Sequence, residues 1–131
     1  SEIWAKLDAG TEAWFHKVNR PHPSVHLEEI VSNILAVAVA RPVVIQTLWP
    51  RVDGQAPPAQ EVEAYCTHLR GLLASGGSIE RVQLHTIARS PREPNASALS
   101  NDELDAIAET VRQRVPDVAV DVYYGRGGGA D

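Results

Sequence analysis

Four short stretches of this sequence hold residue types that could do chemistry. In the first, Lys6-Leu7-Asp8, an ammonium and a carboxylate stand two residues apart, so in a strand both fall on one face. Such a pair can engage the carboxylate and amine of an amino-acid-like ligand; its structural alternatives are an ion pair or a carboxylate that opens a helix. The second is Gln46-Thr47 with Trp49 beyond. A buried Gln46 amide needs a hydrogen-bond partner, either a neighbouring backbone group or a ligand. The third is His85-Thr86-Ile87-Ala88-Arg89-Ser90-Pro91, in which His85 and Ile87 share a face and Arg89 offers a rigid donor fork to a carboxylate or phosphate. Its alternatives are a structural or exposed imidazole and a loop ion pair. The fourth is Asn19-Arg20-Pro21-His22, with His16 and His26. His16 reads as helical, His22 lies between prolines and His26 begins the next helix, so nothing in the sequence fixes a common centre and no metal site is expected. No nucleophile elbow, zinc-protease helix or serine–histidine–acid spacing is present.

The elements that must position these residues alternate between two periods. Ile3–Leu7, Val43–Leu48, Val82–Ile87 and Val118–Tyr123 read as strands. The second is mostly apolar, the pattern of a strand covered on both faces. Thr11 suits an N-cap for a helix through Val18, which Pro21 and Pro23 end. Leu27, Ile30, Val31, Ile34 and Leu35 form the stripe of a second helix, with Glu28 and Glu29 at its positive end. Pro58 opens a third helix in its first turn, with Val62, Cys66, Leu69, Leu72 and Leu73 on its buried face and Gly76 or Gly77 at its end. Cys66 on that stripe reads as a small core hydrophobe. Ser100 and Glu103 form a capping-box pair and Leu99 and Leu104 a staple, so a fourth helix begins at Asn101; Pro116 stops it. The stretches from Trp49 to Pro58 and from Ala88 to Ala98 read as loops. The order is that of successive βαβ units, an α/β fold with a predominantly parallel sheet in sequence order and flanking helices on one or both faces.

Composition narrows the function. The 131 residues are 44% apolar, which suits one domain. With 12 basic and 17 acidic side chains the formal charge is -5, so nucleic acid is not an expected partner unless Arg81, Arg89 and Arg92 form a local patch. A single cysteine, Cys66, excludes an internal disulfide framework and fits a reducing, cytoplasmic setting. The most apolar stretch, Ile30 to Ile45, is too short and interrupted to span a bilayer. The opening run from Ser1 to Gly10 is strand-like and reads as starting in mid-architecture, as in a piece of a larger α/β enzyme.

Three stretches carry a family resemblance: Lys6-Leu7-Asp8-Ala9-Gly10-Thr11-Glu12 with Phe15 and Asn19-Arg20-Pro21; Val82 to Pro91; and Leu99-Ser100-Asn101-Asp102-Glu103-Leu104. Together they resemble the C-terminal half of the partial barrel of a radical S-adenosylmethionine (radical SAM) enzyme. The resemblance implies a fragment of a (β/α)6 partial TIM barrel over residues 1–124, with 125–131 as a flexible Gly-rich tail. It also implies, for a longer parent, one [4Fe-4S] cluster and S-adenosylmethionine cleaved reductively to start radical chemistry on a substrate that the sequence does not name. In that family a CxxxCxxC loop supplies the cluster ligands. This chain has no such loop, and Cys66 matches none of those ligands, so no cofactor and no catalysis are expected of the chain alone. Lys6, Asp8, Gln46, His85 and Arg89 are then expected in the wall that contacts the adenosyl group and substrate. The missing barrel half is one implied partner. A second copy, joined through the exposed sheet edge or barrel interior, is another. The alternative reading is a non-catalytic α/β ligand-binding or interaction domain.

Overall fold

A computed structural model describes residues 2–87 and 95–125. Strand β1 (Ile3–Lys6) leads through α1 (Glu12–Asn19) and α2 (Leu27–Ala40) to β2 (Val43–Leu48). A short strand β3 (Arg51–Val52) precedes α3 (Ala59–Ala74) and β4 (Ile79–His85). Another, β5 (Ala96–Ser97), precedes α4 (Asn101–Arg114) and β6 (Ala119–Tyr123). The four longer strands form one parallel sheet, ordered β1-β2-β4-β6. This is the arrangement that the alternating patterns predict, with β4 beginning earlier than its apolar core suggests. A register shift beside Val43 accommodates that extension.

Because strand order follows chain order, each right-handed crossover carries its helices to the same side of the sheet. The helices accordingly form one layer, with α2 against α3 and α3 against α4. Val43, Ile45, Val82, Leu84 and Val120 join the core with Ile34, Leu69, Ile107 and other helical residues. The opposite face carries no helix among the described residues. This corrects the reading of β2 as covered on both faces. Val44 lies on the helix-free side and is nevertheless only 1% exposed. Its register partners are Trp4 and Arg81, and the Arg81 guanidinium reaches over Val44 to within 5.6 Å of the Trp4 ring centre. A side-chain bridge, not a second helical layer, covers Val44 on this side.

Local signals place the helix ends. Thr11 caps α1 by accepting from the Trp14 N–H at 3.2 Å. At α4 the Ser100 hydroxyl accepts from Glu103 N at 3.1 Å, and the Glu103 carboxylate accepts from Ser100 N at 2.9 Å, the reciprocal box expected. Pro58 sits at the cap of α3, one position before the first turn. Gly76, at φ 93, ends α3 as the left-handed residue. Its N–H bonds Leu73 O at 3.2 Å and the Gly77 N–H bonds Leu72 O at 2.8 Å, the paired bonds of a Schellman motif.

Gly10 is required for a different reason. A Cβ there would stand 2.3 Å from Tyr65 N and 2.5 Å from Glu61 O, so the turn after β1 lies directly on the α3 backbone. The buried Glu61 carboxylate holds that turn, accepting from the N–H groups of Gly10 and Thr11 and from the Thr11 hydroxyl.

Both stretches read as loops contain one strand of an antiparallel pair, β3 with β5. Two residues are too few to show a period. The pair is extended by Asp53 N–H donating to Asn95 O at 2.7 Å, and Arg51 is ion-paired with Glu103 of α4. At the other end, Gly125 is buried, and a Cβ there would meet Ile87 O at 2.8 Å; the rest of the Gly-rich tail, 126–131, lies outside the described residues. No helix among the described residues is long and apolar enough to cross a membrane.

Candidate functional site

Strand register sets the helix-free face in rows. Lys6, Gln46, Gln83 and Asp121 are successive partners across the sheet, and Leu48, His85 and Tyr123 form the next row towards the strands' carboxyl ends. Parallel α/β sheets meet ligands at that end. The His85 ring stacks on Tyr123, with centroids 4.5 Å apart and planes 7° from parallel. Its Nε2 lies 3.2 Å from Gln83 Oε1 and 3.4 Å from Gln46 Nε2. Only one of these contacts can operate in a given tautomer: a protonated Nε2 donates to Gln83, whereas a bare Nε2 accepts from the Gln46 amide. Partial burial, reinforced by the Lys6 cation and opposed by Asp8, holds the His85 pKa below its ordinary 6.5. The imidazole is therefore neutral at neutral pH and can switch between donor and acceptor.

Of the residues singled out in the sequence, Lys6, Gln46 and His85 come together on this face. Lys6 keeps 56% of its side chain exposed, 3.6 Å from Asp8. Asp8 lies just past the end of β1, where its carboxylate accepts from Leu48 N at 2.8 Å and Asn19 Nδ2 at 3.3 Å. Its bonds tie β1 to β2 and to the end of α1. Arg89 falls outside the described residues. Thr47 points to the helical side, 2.6 Å from the Tyr65 hydroxyl, whose pKa burial pushes up. Trp49 is buried edge-on against Tyr65. Gln83, Asp121 and Tyr123 were not singled out, although the alternation in Val82-Gln83-Leu84-His85 marks Gln83 as facing the same way as His85.

One other sequence reading changes in the structure, whereas Cys66 keeps the core place read for it. Arg81 binds Glu2 at 2.7 Å and Glu80 at 2.8 Å and stands 3.8 Å from Asp121, so this residue of the proposed basic patch is already neutralised. Arg92, like Arg89, lies outside the described residues. Cys66 is fully buried in α3, and burial pushes its thiol up to about 11. A [4Fe-4S] cluster does not fit the chain: such a cluster needs several thiolates, and the single cysteine is a protonated core residue.

Parallel strands laid down in chain order, with the described helices on one side, are the arrangement from which (β/α) barrels are built. No family model and no curated protein matches the sequence. Among solved structures, the chain is similar to a radical SAM methyltransferase from Sphaerobacter thermophilus, with a TM-score of 0.68 and 19% identity over 98% of this chain. It spans 35% of that protein's length. At this identity the likeness shows the fold alone: a parallel four-stranded α/β sheet with flanking helices, similar to that of the methyltransferase.

Proposed function

We propose that this chain forms one side of a radical SAM partial barrel, and that its helix-free face is part of the wall meeting the adenosyl group and the substrate. The supporting observation is the in-register polar band Lys6, Gln46 and Gln83, capped by the neutral His85, on a sheet with the fold of a radical SAM methyltransferase. Amide and imidazole groups suit the hydroxyls and ring nitrogens of a nucleoside, and Lys6 suits a carboxylate. Asp8 serves this wall by fixing Lys6 and the end of β2. Arg89, following β4 in the sequence, is assigned to the same wall from its residue type and place. The cluster's thiolates and the anchor for the methionyl end belong to residues outside this sequence, in a longer protein or a partner that completes the barrel in a reducing, cytoplasmic setting. S-adenosylmethionine and a cluster held there would supply the radical chemistry, and the residues of this chain would orient the nucleoside and substrate.

Calorimetry with S-adenosylmethionine and residues 1–131 tests the division of labour. We expect at most weak binding, because an open wall without its anchor is not preorganised. Micromolar binding by this chain alone, on the order of -8 kcal/mol, overturns the assignment of the anchor elsewhere. In the longer protein, Gln46→Ala and Arg89→Ala should impair turnover with the cluster intact. Unchanged turnover removes these residues from the wall.

A further inference from the structure

Away from the helix-free face, α1 and the start of α2 bring together three side chains with metal-ligating atoms. Glu12 and His16 lie one turn apart on α1 and so share a helix face; His26 is the cap residue of α2. Glu12 Oε1 is 3.5 Å from His16 Nε2 and 3.6 Å from His26 Nδ1. All three ligand atoms lie within 4.8 Å of one another. Donors at about 2.0–2.1 Å from a tetrahedral Zn2+ stand about 3.3 Å apart. Two edges are thus close to the required length, and rotation of the exposed imidazoles can close the third.

The carboxylate is also held in place. Glu12 Oε2 accepts from the Glu28 N–H at 3.2 Å, leaving Oε1 turned towards both histidines. The His26 backbone is fixed in turn by its N–H donating to Glu29 Oε1 at 3.1 Å. His22 is excluded from the set: its Nδ1 lies 2.8 Å from the Ser24 hydroxyl and accepts from Ser24 N at 3.1 Å.

We propose that Glu12, His16 and His26 bind a divalent transition metal ion of the Zn2+ class. Two imidazoles and one carboxylate suit Zn2+ and its first-row neighbours, whereas Mg2+ and Ca2+ take oxygen ligands. The three side chains are half-exposed, so water completes the coordination. The ion ties α1 to the start of α2 across the connection holding Pro21 and Pro23.

The test is a ZnCl2 titration of the full chain in chelator-free buffer, followed by calorimetry, with Co2+ absorption reporting the coordination sphere. One saturable site of micromolar affinity is expected. Glu12→Gln, His16→Ala and His26→Ala should each weaken it by about tenfold or more, and His22→Ala should leave it unchanged. Circular dichroism checks that each variant is folded. If Glu12→Gln loosens the start of α2, the two histidine variants decide the matter. Absence of saturable uptake, uptake that survives loss of both His16 and His26, or uptake lost with His22 overturns the site.

Discussion

His85 is central to the wall proposed for the helix-free face. Its imidazole is held neutral by burial and by Lys6, and this has a consequence for stability with a definite sign. The folded-state pKa is depressed, so as pH falls below 6.5 the unfolded chain takes up a proton that the native chain resists. Stability from this residue is complete above that pH and is lost as pH falls through the depressed value. Replacing His85 by Gln should flatten this part of the acid limb. Urea midpoints for both proteins across the window below 6.5 read it directly, and identical slopes would show that His85 titrates as in the unfolded chain. The same residue shows how far the site can be read in one dimension. Lys6, Gln46 and His85 stand out by type alone, whereas Gln83 and Tyr123 become visible only once parallel register sets them beside His85. Asp8 has the right type, but its carboxylate is engaged by the Leu48 N–H and the Asn19 amide, contacts between residues far apart in sequence.

Among the elements, α4 has the most completely specified start, because Ser100 and Glu103 satisfy each other's backbone donors. Ser100→Ala should therefore cost about 1 kcal/mol, measured as a lower urea midpoint with an unchanged slope. An unchanged midpoint would mean that packing of Leu104 and Ile107 alone sets the helix start. The four long strands and four helices were legible because each carries its own period, cap or breaker within a few residues. The pair β3 and β5 was not, since a two-residue strand has no period and is defined only by its partner across the fold. The Glu12, His16 and His26 cluster is intermediate. Glu12 and His16 are neighbours by helical spacing alone, but their meeting with His26 depends on the way α2 returns against α1.

At the scale of the whole molecule, β1 is an edge strand with an apolar groove beside it, formed by Ile3, Trp4 and Ala5 with Ile30, Ile34 and Val37. Trp4 is 47% exposed there. Unpaired strand edges flanked by apolar surface favour association, and in an isolated chain a second copy is the available partner. We expect light scattering to report a dimer or larger assembly that Trp4→Lys shifts towards monomer; a monomer at every working concentration rules this out. The order β1-β2-β4-β6 has a further consequence, for the way the protein is made. As a nascent chain leaves the ribosome from its N-terminus, each strand of this sheet emerges after the neighbour on which it docks. No strand has to be inserted between two already joined. Synthesis and assembly therefore run in the same direction, and an interrupted translation product ending after β4 would already contain the pairings of β1 with β2 and β2 with β4.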